Sequence, residues 1–377
     1  MIRDVVRARE PRGPETHAAR VADRDELSGH LEDAAHVPGG HAAALAAPRS
    51  EYEVAEILRS CEAVLVVGAQ SSLTGGATPR GETLVTTRHF AEITDLEAGV
   101  VRAGAGVTLA ALDAHLARRG ALYPPAPTYM GATVGGTIAT NAAGAATFKY
   151  GTTRHWVERI TVVLATGDVL DVRRGTALAD AAGGFALMLK DGRTVRVPAP
   201  TYRVPQVPKV SAGYAAAPGL DLIDLFIGSE GTLGVIVDAD LRVLPRRPAL
   251  CLAFLTLRDE HRALALVSRL REASQQTWRS GQPTLDVSAI EHMDARSLAL
   301  LREDGVPARL GVDLDPAARM TLLVTLDLPF HTTADDVYAA LGDAGGTGAV
   351  PEFAALLSEF DALEYAILAP PGDTQGA

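Results

Sequence analysis

The sequence has few cysteines and lacks the common short nucleotide-binding motifs. Its 377 residues include 2 cysteines, Cys61 and Cys251, and no CxxC pair. This excludes iron–sulfur clusters, zinc ribbons and a disulfide scaffold, and two buried thiols in a reducing cytoplasm are expected. No GxxxxGK motif followed by Ser or Thr is present, and Gly104-Ala105-Gly106 lacks the third glycine of GxGxxG. Neither a P-loop NTPase nor a Rossmann NAD fold is therefore supported.

Excess basic charge and long apolar runs are also missing. Lys and Arg number 35 against 46 Asp and Glu, which gives a formal net charge of −11 at pH 7. We do not expect nucleic acid as a partner, because phosphate binding needs clustered Lys and Arg. The first 35 residues carry charges throughout and no run typical of a signal peptide or membrane helix. The sequence thus predicts a cytoplasmic protein without a transmembrane segment, with its first ~20 residues frayed.

Apolar periodicity and turn residues predict a mixed α+β organisation. The segment 50–63 has helical spacing, with Ser50 and Glu53 as a capping box, and the strand VLVVG follows it. Thr108 is expected to cap a second helix that Gly120 ends.

Two hairpins and one linker complete this outline. Gly167-Asp168 and Asp191-Gly192 predict hairpin turns, and Pro245-Arg246-Arg247-Pro248 predicts a linker to a second α+β unit. We therefore expect an N-terminal segment over 1–40, a first domain over 41–248 and a second domain over 249–377.

Three glycine-rich clusters lie where a strand meets a turn, at residues 68–76, 131–144 and 228–236. Glycine permits positive φ and close backbone approach, and Ser and Thr hydroxyls add donors, so successive N–H groups can form a nest for phosphate. A single cluster equally suits a tight turn. Three clusters interleaved with strands favour an extended ligand wrapped by backbone, such as a dinucleotide.

The three clusters resemble a known family. VVGAQSSLTGGATP resembles the pyrophosphate loop of the FAD-linked oxidases of the vanillyl-alcohol oxidase / p-cresol methylhydroxylase (PCMH-type) superfamily. YPPAPTYMGATVGGTIATNAAGAATFKYGTTRHWV is similar to the family's second flavin segment, and IGSEGTLGVI to its third. Order and spacing agree over roughly residues 40–250, in the manner of the glycolate oxidase / D-lactate dehydrogenase branch, which oxidises 2-hydroxy acids.

The resemblance implies an α+β, PCMH-type FAD-binding domain of two subdomains, followed by a cap domain built on an antiparallel sheet. The FAD-binding residues that it implies are Gly68, Ala69, Gln70, Ser71, Ser72, Leu73, Thr74, Gly75 and Gly76 at the pyrophosphate; Pro127, Thr128, Gly131, Gly135, Gly136, Thr140, Asn141, Gly144 and Gly151 along the flavin and ribityl chain; and Glu230, Gly234 and Ile236 at the rest of FAD. Gln70 replaces a glycine common in the family, so that turn is expected to differ locally.

The resemblance also implies a chemistry. A 2-hydroxy acid would lose hydride to flavin N5, with a base, a carboxylate clamp and an electron acceptor completing the reaction. FAD is expected to be non-covalent, because no histidine lies between His41 and His89. No metal site is predicted, since the loop from His36 to His41 offers no third ligand.

The catalytic residues stay open. The family's C-terminal motifs HxGDGNxH and GEHG are absent, so we expect an incomplete cap. His331 and Arg154 are the candidates, and a surface ion pair is the alternative for Arg154. Three functions remain: a complete 2-hydroxy-acid dehydrogenase, helped or not by another subunit; an FAD-binding subunit or truncated flavoprotein without its own base; and a glycine-rich protein without flavin.

Overall fold

The chain divides into two units. The computed structural model describes residues 5–96, 99–125, 127–205, 207, 209–210, 212–245, 248–282, 285–310, 315–329, 351–360 and 363–369. The first unit comprises Met1–Gly144 and Gly151–Pro245, and the second comprises Ala145–Tyr150 and Arg246–Ala377. The sequence predicted a separate segment over 1–40 and an uninterrupted domain over 41–248; the structure instead joins 1–40 to the first unit and assigns 145–150 to the second.

The first unit contains most of the strands and mainly short helices. Its strands are β1 (Val5–Arg7), β2 (Arg20–Val21), β3 (Ala44–Ala46), β4 (Val64–Val67), β5 (Thr83–Thr86), β6 (Ile93–Asp95), β7 (Val100–Gly104), β8 (Val157–Val163), β9 (Val169–Arg173), β10 (Gly184–Met188), β11 (Thr194–Pro198) and β12 (Val235–Arg242). Its helices are α1 (Arg24–Ser28), α2 (Glu51–Ser60), α3 (Leu109–Ala117), α4 (Val134–Ala139) and α6 (Leu222–Phe226).

The second unit combines longer elements. Its strands are β13 (Leu250–Leu257), β14 (Val287–Asp294), β15 (Met320–Asp327) and β16 (Leu363–Ala369), and its helices are α5 (Thr147–Tyr150), α7 (Glu260–Ser280), α8 (Ala295–Glu303), α9 (Val306–Leu310) and α10 (Pro351–Phe360).

The local predictions in the first unit are confirmed. Ser50 caps α2 by accepting a hydrogen bond from the Glu53 N–H at 3.2 Å, and Thr108 caps α3. The two predicted hairpins join β8 to β9 and β10 to β11, both antiparallel. Each of these features depends on residues close in sequence, which is why the sequence reveals them.

The first unit contains three sheets. One has the order β2-β3-β5-β4, with β3, β5 and β4 parallel; the second is antiparallel, in the order β6-β7-β12-β8-β9. The third has the order β1-β10-β11, with β1 parallel to β10. The expected fraying of the N-terminal residues is therefore wrong for β1, because Val5 pairs with Ala186. No local pattern could predict a partner so distant in sequence.

One face of the antiparallel sheet carries the main core. Leu112 of α3, Ile138 of α4, Ile160 of β8 and Ile223 of α6 are all fully buried in one hydrophobic cluster. Burying an aliphatic side chain of this size stabilises the fold by about 1.5–3 kcal/mol. This packing fixes α4, which the second glycine-rich cluster forms.

The opposite face of that sheet carries a buried network of charges. The Asp240 carboxylate is 1% exposed and accepts hydrogen bonds from Nε of Arg102 at 2.6 Å and Nε of Arg159 at 3.0 Å. Arg159 also pairs with Asp171 and Asp238. Because neighbouring strands supply the opposite charges, the network links β7, β8, β9 and β12.

The second unit is an antiparallel sheet with helices on both faces. Its strand order is β14-β15-β13-β16, and all three pairings are antiparallel, as the resemblance implied. Leu266 of α7 and Phe353 of α10 pack with Leu255 on one face. Leu298 of α8 packs near Phe254 on the other.

The short helix α5 is held in the second unit by a polar cluster. The Lys149 ammonium lies 2.7 Å from Oδ2 of Asp286 and 2.7 Å from Oδ2 of Asp327. The Tyr150 hydroxyl donates to Asp327, and burial together with the negative charge of Asp327 raises the pKa of Tyr150 above its ordinary value. Lys149 is therefore neutralised by two carboxylates within its own unit.

Acid is expected to destabilise the first unit through the charge network. Burial acts to raise the pKa of Asp240, but hydrogen bonds from Arg102 and Arg159 outweigh it and lower the pKa below 3.8. Such a group stabilises the fold fully above its unfolded pKa of about 3.9, and the effect is lost as the pH falls through the lower folded pKa. The free energy of unfolding in urea should therefore fall below about pH 4.

The variant Asp240→Asn tests the source of this acid dependence. It should cost about 3 kcal/mol at neutral pH, because it breaks a buried ion pair, and should flatten the pH profile. Glu62→Gln, at an exposed position after α2, serves as the control and should keep the wild-type profile. Parallel profiles for Asp240→Asn and the wild type would contradict the assignment.

Candidate functional site

The three glycine-rich clusters line one cavity of the first unit. It has a volume of about 380 Å³ and lies among the loop after β4, helix α4 with its preceding residues, and the turn before β12. A loop at the carboxyl end of a parallel strand is a frequent place for ligands in α/β sheets. The predicted residues that line the cavity are Gly68, Ala69, Gln70, Ser71, Ser72, Thr74, Gly76, Pro127, Gly135, Gly136, Thr140, Glu230, Gly234 and Ile236.

The other predicted residues do not line this cavity; they are Leu73, Gly75, Thr128, Gly131, Asn141, Gly144 and Gly151. Leu73 is 79% exposed. Asn141 is buried, and its side-chain oxygen accepts a hydrogen bond from the Arg154 N–H at 3.0 Å. Gly151 has φ +72°, and a Cβ there would lie 2.7 Å from Nδ1 of His155. The last two shape the backbone around the cavity.

Sequence reasoning missed part of the lining: Leu65, Val66, Val67, Ala77, Thr87, Ala132, Thr133, Thr137, Ala139, Ala142 and Gly231. Leu65, Val66 and Val67 belong to β4, and the strand signal before the first glycine cluster could have indicated their place. Thr133 caps α4 by accepting from the Gly136 N–H at 3.3 Å, and a threonine before a helix is a recognisable cap. Its closeness to Gly68 is a tertiary feature without any sequence signal.

Close contact between two segments depends on Gly68. A Cβ at this position would lie 2.2 Å from Oγ1 of Thr133. Gly135 makes a similar approach, with its Cβ position 2.6 Å from Cβ of Ala105. These glycines therefore serve close packing at the cavity wall.

The loop after β4 offers unused backbone donors. The N–H groups of Ala69, Gln70, Ser71 and Ser72 make no hydrogen bond with any residue that the structure describes. Glu230 is the one ionisable residue in the described lining. A bound diphosphate would thus be held by backbone N–H dipoles and hydroxyls without a cation from the lining, which is the arrangement of a phosphate nest.

Three non-glycine residues around the cavity have left-handed backbone. Gln70, Asn141 and Glu230 have φ of +49°, +47° and +54°. Each such conformation costs of order 1–3 kcal/mol unless the surroundings enforce it, and clusters of them mark ligand sites. Glu230 is enforced in part by its N–H, which donates to the Ala139 carbonyl at 2.8 Å.

The remaining lining is largely apolar. Val66, Ala132, Pro127 and Ile236 contribute aliphatic surface, which suits a flat aromatic ring. The lining in the described part of the chain includes no histidine or cysteine. An apolar wall beside a phosphate nest fits a flavin nucleotide in the chemistry of its donors and in its small side chains.

The catalytic candidates are not brought to this cavity by the described residues. Arg154 donates from Nη1 to the Asp224 carbonyl at 2.6 Å and to its Oδ1 at 3.0 Å, and from Nη2 to the Ile227 carbonyl. This is the ion-pair alternative, and a catalytic role for Arg154 stays a prediction. His331 lies outside the described residues. Across those that are described, no group of three or more His, Cys, Asp or Glu side chains could hold a metal ion.

None of the helices that the structure describes has the length and apolar character needed to cross a membrane.

Comparisons with known proteins agree with this geometry. Residues 42–173 match the family model FAD_binding_4, described as an FAD binding domain. A D-lactate dehydrogenase of Archaeoglobus fulgidus is 34% identical over 231 residues, which cover 59% of this chain and 44% of the relative. Glycolate oxidase subunit GlcD of Bacillus subtilis is 28% identical over 302 residues, 78% of this chain and 53% of that protein. The mitochondrial D-2-hydroxyglutarate dehydrogenase of Bos taurus is 30% identical over 292 residues, 75% and 45%.

The fold has a counterpart among solved structures. An alkyldihydroxyacetonephosphate synthase matches with a TM-score of 0.56 at 15% identity, over 89% of this chain and 55% of that one. The fold and the site define a flavoprotein with a PCMH-type FAD-binding domain. Residues 42–173 belong to the FAD binding domain family, so the predicted cofactor and fold class are confirmed. The chain spans about half the length of the curated relatives it matches.

Gly68→Ala is expected to weaken FAD binding. The new methyl group would meet Oγ1 of Thr133, and the strain of overpacking, typically 1–3 kcal/mol, would move the loop that offers the free N–H groups. We expect the Kd for FAD, measured by flavin fluorescence titration, to rise about tenfold.

A second variant and a control make this test specific. Adding Thr133→Ala should restore part of the affinity, because it removes the clashing atom. Gly29→Ala is the matched control, since a Cβ there has no neighbour within 4 Å. Unchanged FAD affinity in Gly68→Ala would show that the contact with Thr133 does not shape the site.

Proposed function

We propose that the protein is an FAD-dependent oxidoreductase that oxidises a 2-hydroxy acid of the D-lactate or glycolate type. The observation that carries the proposal is the convergence of three glycine-rich segments on one cavity with free backbone N–H groups. The names of the relatives, D-lactate dehydrogenase, glycolate oxidase subunit GlcD and D-2-hydroxyglutarate dehydrogenase, support the substrate class.

Each part of the cavity has a task in this proposal. The N–H groups after β4 and the hydroxyls of Ser71 and Ser72 would hold the diphosphate. Val66, Pro127 and Ile236 would exclude water beside the flavin ring. When bound, the flavin accepts the hydride of the substrate at N5.

The reaction also needs a base for the substrate hydroxyl and a cation for its carboxylate. The described lining contains neither a histidine nor a lysine or arginine. This favours a second candidate function, an FAD-binding subunit or truncated flavoprotein that acts in a complex with another chain. In both functions an electron acceptor reoxidises the flavin.

Anaerobic reduction separates the two candidate functions. The purified protein with FAD bound is mixed with D-lactate, glycolate or D-2-hydroxyglutarate, and the visible flavin absorbance is followed. Bleaching by one of these acids is expected if the chain is the complete enzyme. Persistent oxidised flavin with all three would favour the subunit function, provided that dithionite still bleaches the same sample.

Non-covalent FAD is expected to leave the protein on acid precipitation. The described lining has no histidine or cysteine to form a bond with the flavin. The supernatant should therefore be yellow and the pellet colourless. A yellow pellet that resists washing in denaturant would contradict this proposal.

A further inference from the structure

The side chain of Gln70 is fully engaged with the protein. Its Nε2 group donates to the carbonyls of His30 and Ala77, both at 2.9 Å, and a third carbonyl, that of Glu32, lies at 3.3 Å. Its Oε1 lies 3.0 Å from Nδ1 of His30. An amide has two N–H hydrogens, and here both have protein acceptors.

The segment bearing these acceptors is tied to the same loop at further points. The Ala34 N–H donates to the Gln70 carbonyl at 3.0 Å. Asp33 is 2% exposed, and its carboxylate accepts from the Ala77 N–H at 3.2 Å and from the Thr78 hydroxyl at 3.3 Å. Residues 30–34 therefore brace both the start and the end of the loop.

We infer that Gln70 is a positioning residue of the cofactor site: its side chain ties the phosphate-binding loop to residues 30–34, and it leaves contact with FAD to the backbone. This inference rests on FAD binding in the cavity. It also makes residues 30–34, which match no flavin motif, part of the site.

The backbone of Gln70 explains why such bracing is needed. Its φ of +49° is a conformation that glycine adopts readily and glutamine rarely. The hydrogen bonds of the side chain hold the residue there. They also fix a loop whose neighbouring N–H groups have no other partner, so that these groups stay arranged for phosphate.

Two substitutions separate bracing from backbone conformation. Gln70→Gly makes positive φ easy and removes the side chain. Gln70→Asn tolerates positive φ, but its side chain is one methylene shorter and cannot span the same acceptors. If only the conformation matters, both variants should bind FAD as well as the wild type or better. If bracing matters, both should bind it less well.

We expect the Kd for FAD to rise about tenfold in both variants, because at least two hydrogen bonds are lost. ADP, which carries the same diphosphate, should lose a similar factor in a competition titration. His30→Ala should raise the Kd by about threefold and add little in the Gln70→Gly background, since the two residues share one interaction. Gln276→Asn, at an exposed position in α7, is the control and should not change the Kd.

Melting of the apoprotein separates positioning from general instability. The apoprotein of Gln70→Gly or Gln70→Asn should melt within a few degrees of the wild type, so a raised Kd then reports the loop. Equal or tighter FAD binding in both variants would overturn the inference and leave the proposed function intact. A wild-type protein that binds no FAD would overturn both.

Discussion

The site depends on holding an anion without a cation from its lining. Free N–H groups after β4 are the available donors, and a backbone donor works only where the chain can approach the ligand closely. That requirement accounts for the small residues of the loop and for Gly68, which lets the loop contact Thr133. It also accounts for the core under α4, where Ile138 is fully buried and fixes the helix. The large glycine content of the three clusters is thus a consequence of binding by backbone.

What the sequence could predict follows from the range of each interaction. The cap at Ser50, the hairpin at Gly167 and the three glycine clusters are local patterns, and the structure contains them. The pairing of β1 with β10 and the contact between Gly68 and Thr133 join distant segments, and no residue pattern marks the partner. The lining residues found by sequence are accordingly those within motifs, while the aliphatic wall of β4 was missed.

The polar cluster around α5 illustrates the same limit. Lys149 lies within the second flavin-like segment of the sequence, yet its ammonium pairs with Asp286 and Asp327 of the second unit. Asp327 has 4% of its side chain exposed, and a carboxylate so buried requires a partner. The excursion of residues 145–150 into the second unit therefore has an electrostatic reason that only the tertiary structure reveals.

A motif can lose its consensus residue and keep its geometry. Glycine at position 70 would permit positive φ at no cost, but it would leave the loop free to move. Glutamine has a conformational penalty there and offsets it through hydrogen bonds to His30 and Ala77. The two solutions reach the same backbone by different means, one through freedom and one through bracing. A departure from a glycine motif thus points to the segment that supplies the brace, here residues 30–34, and extends the site beyond the motif itself.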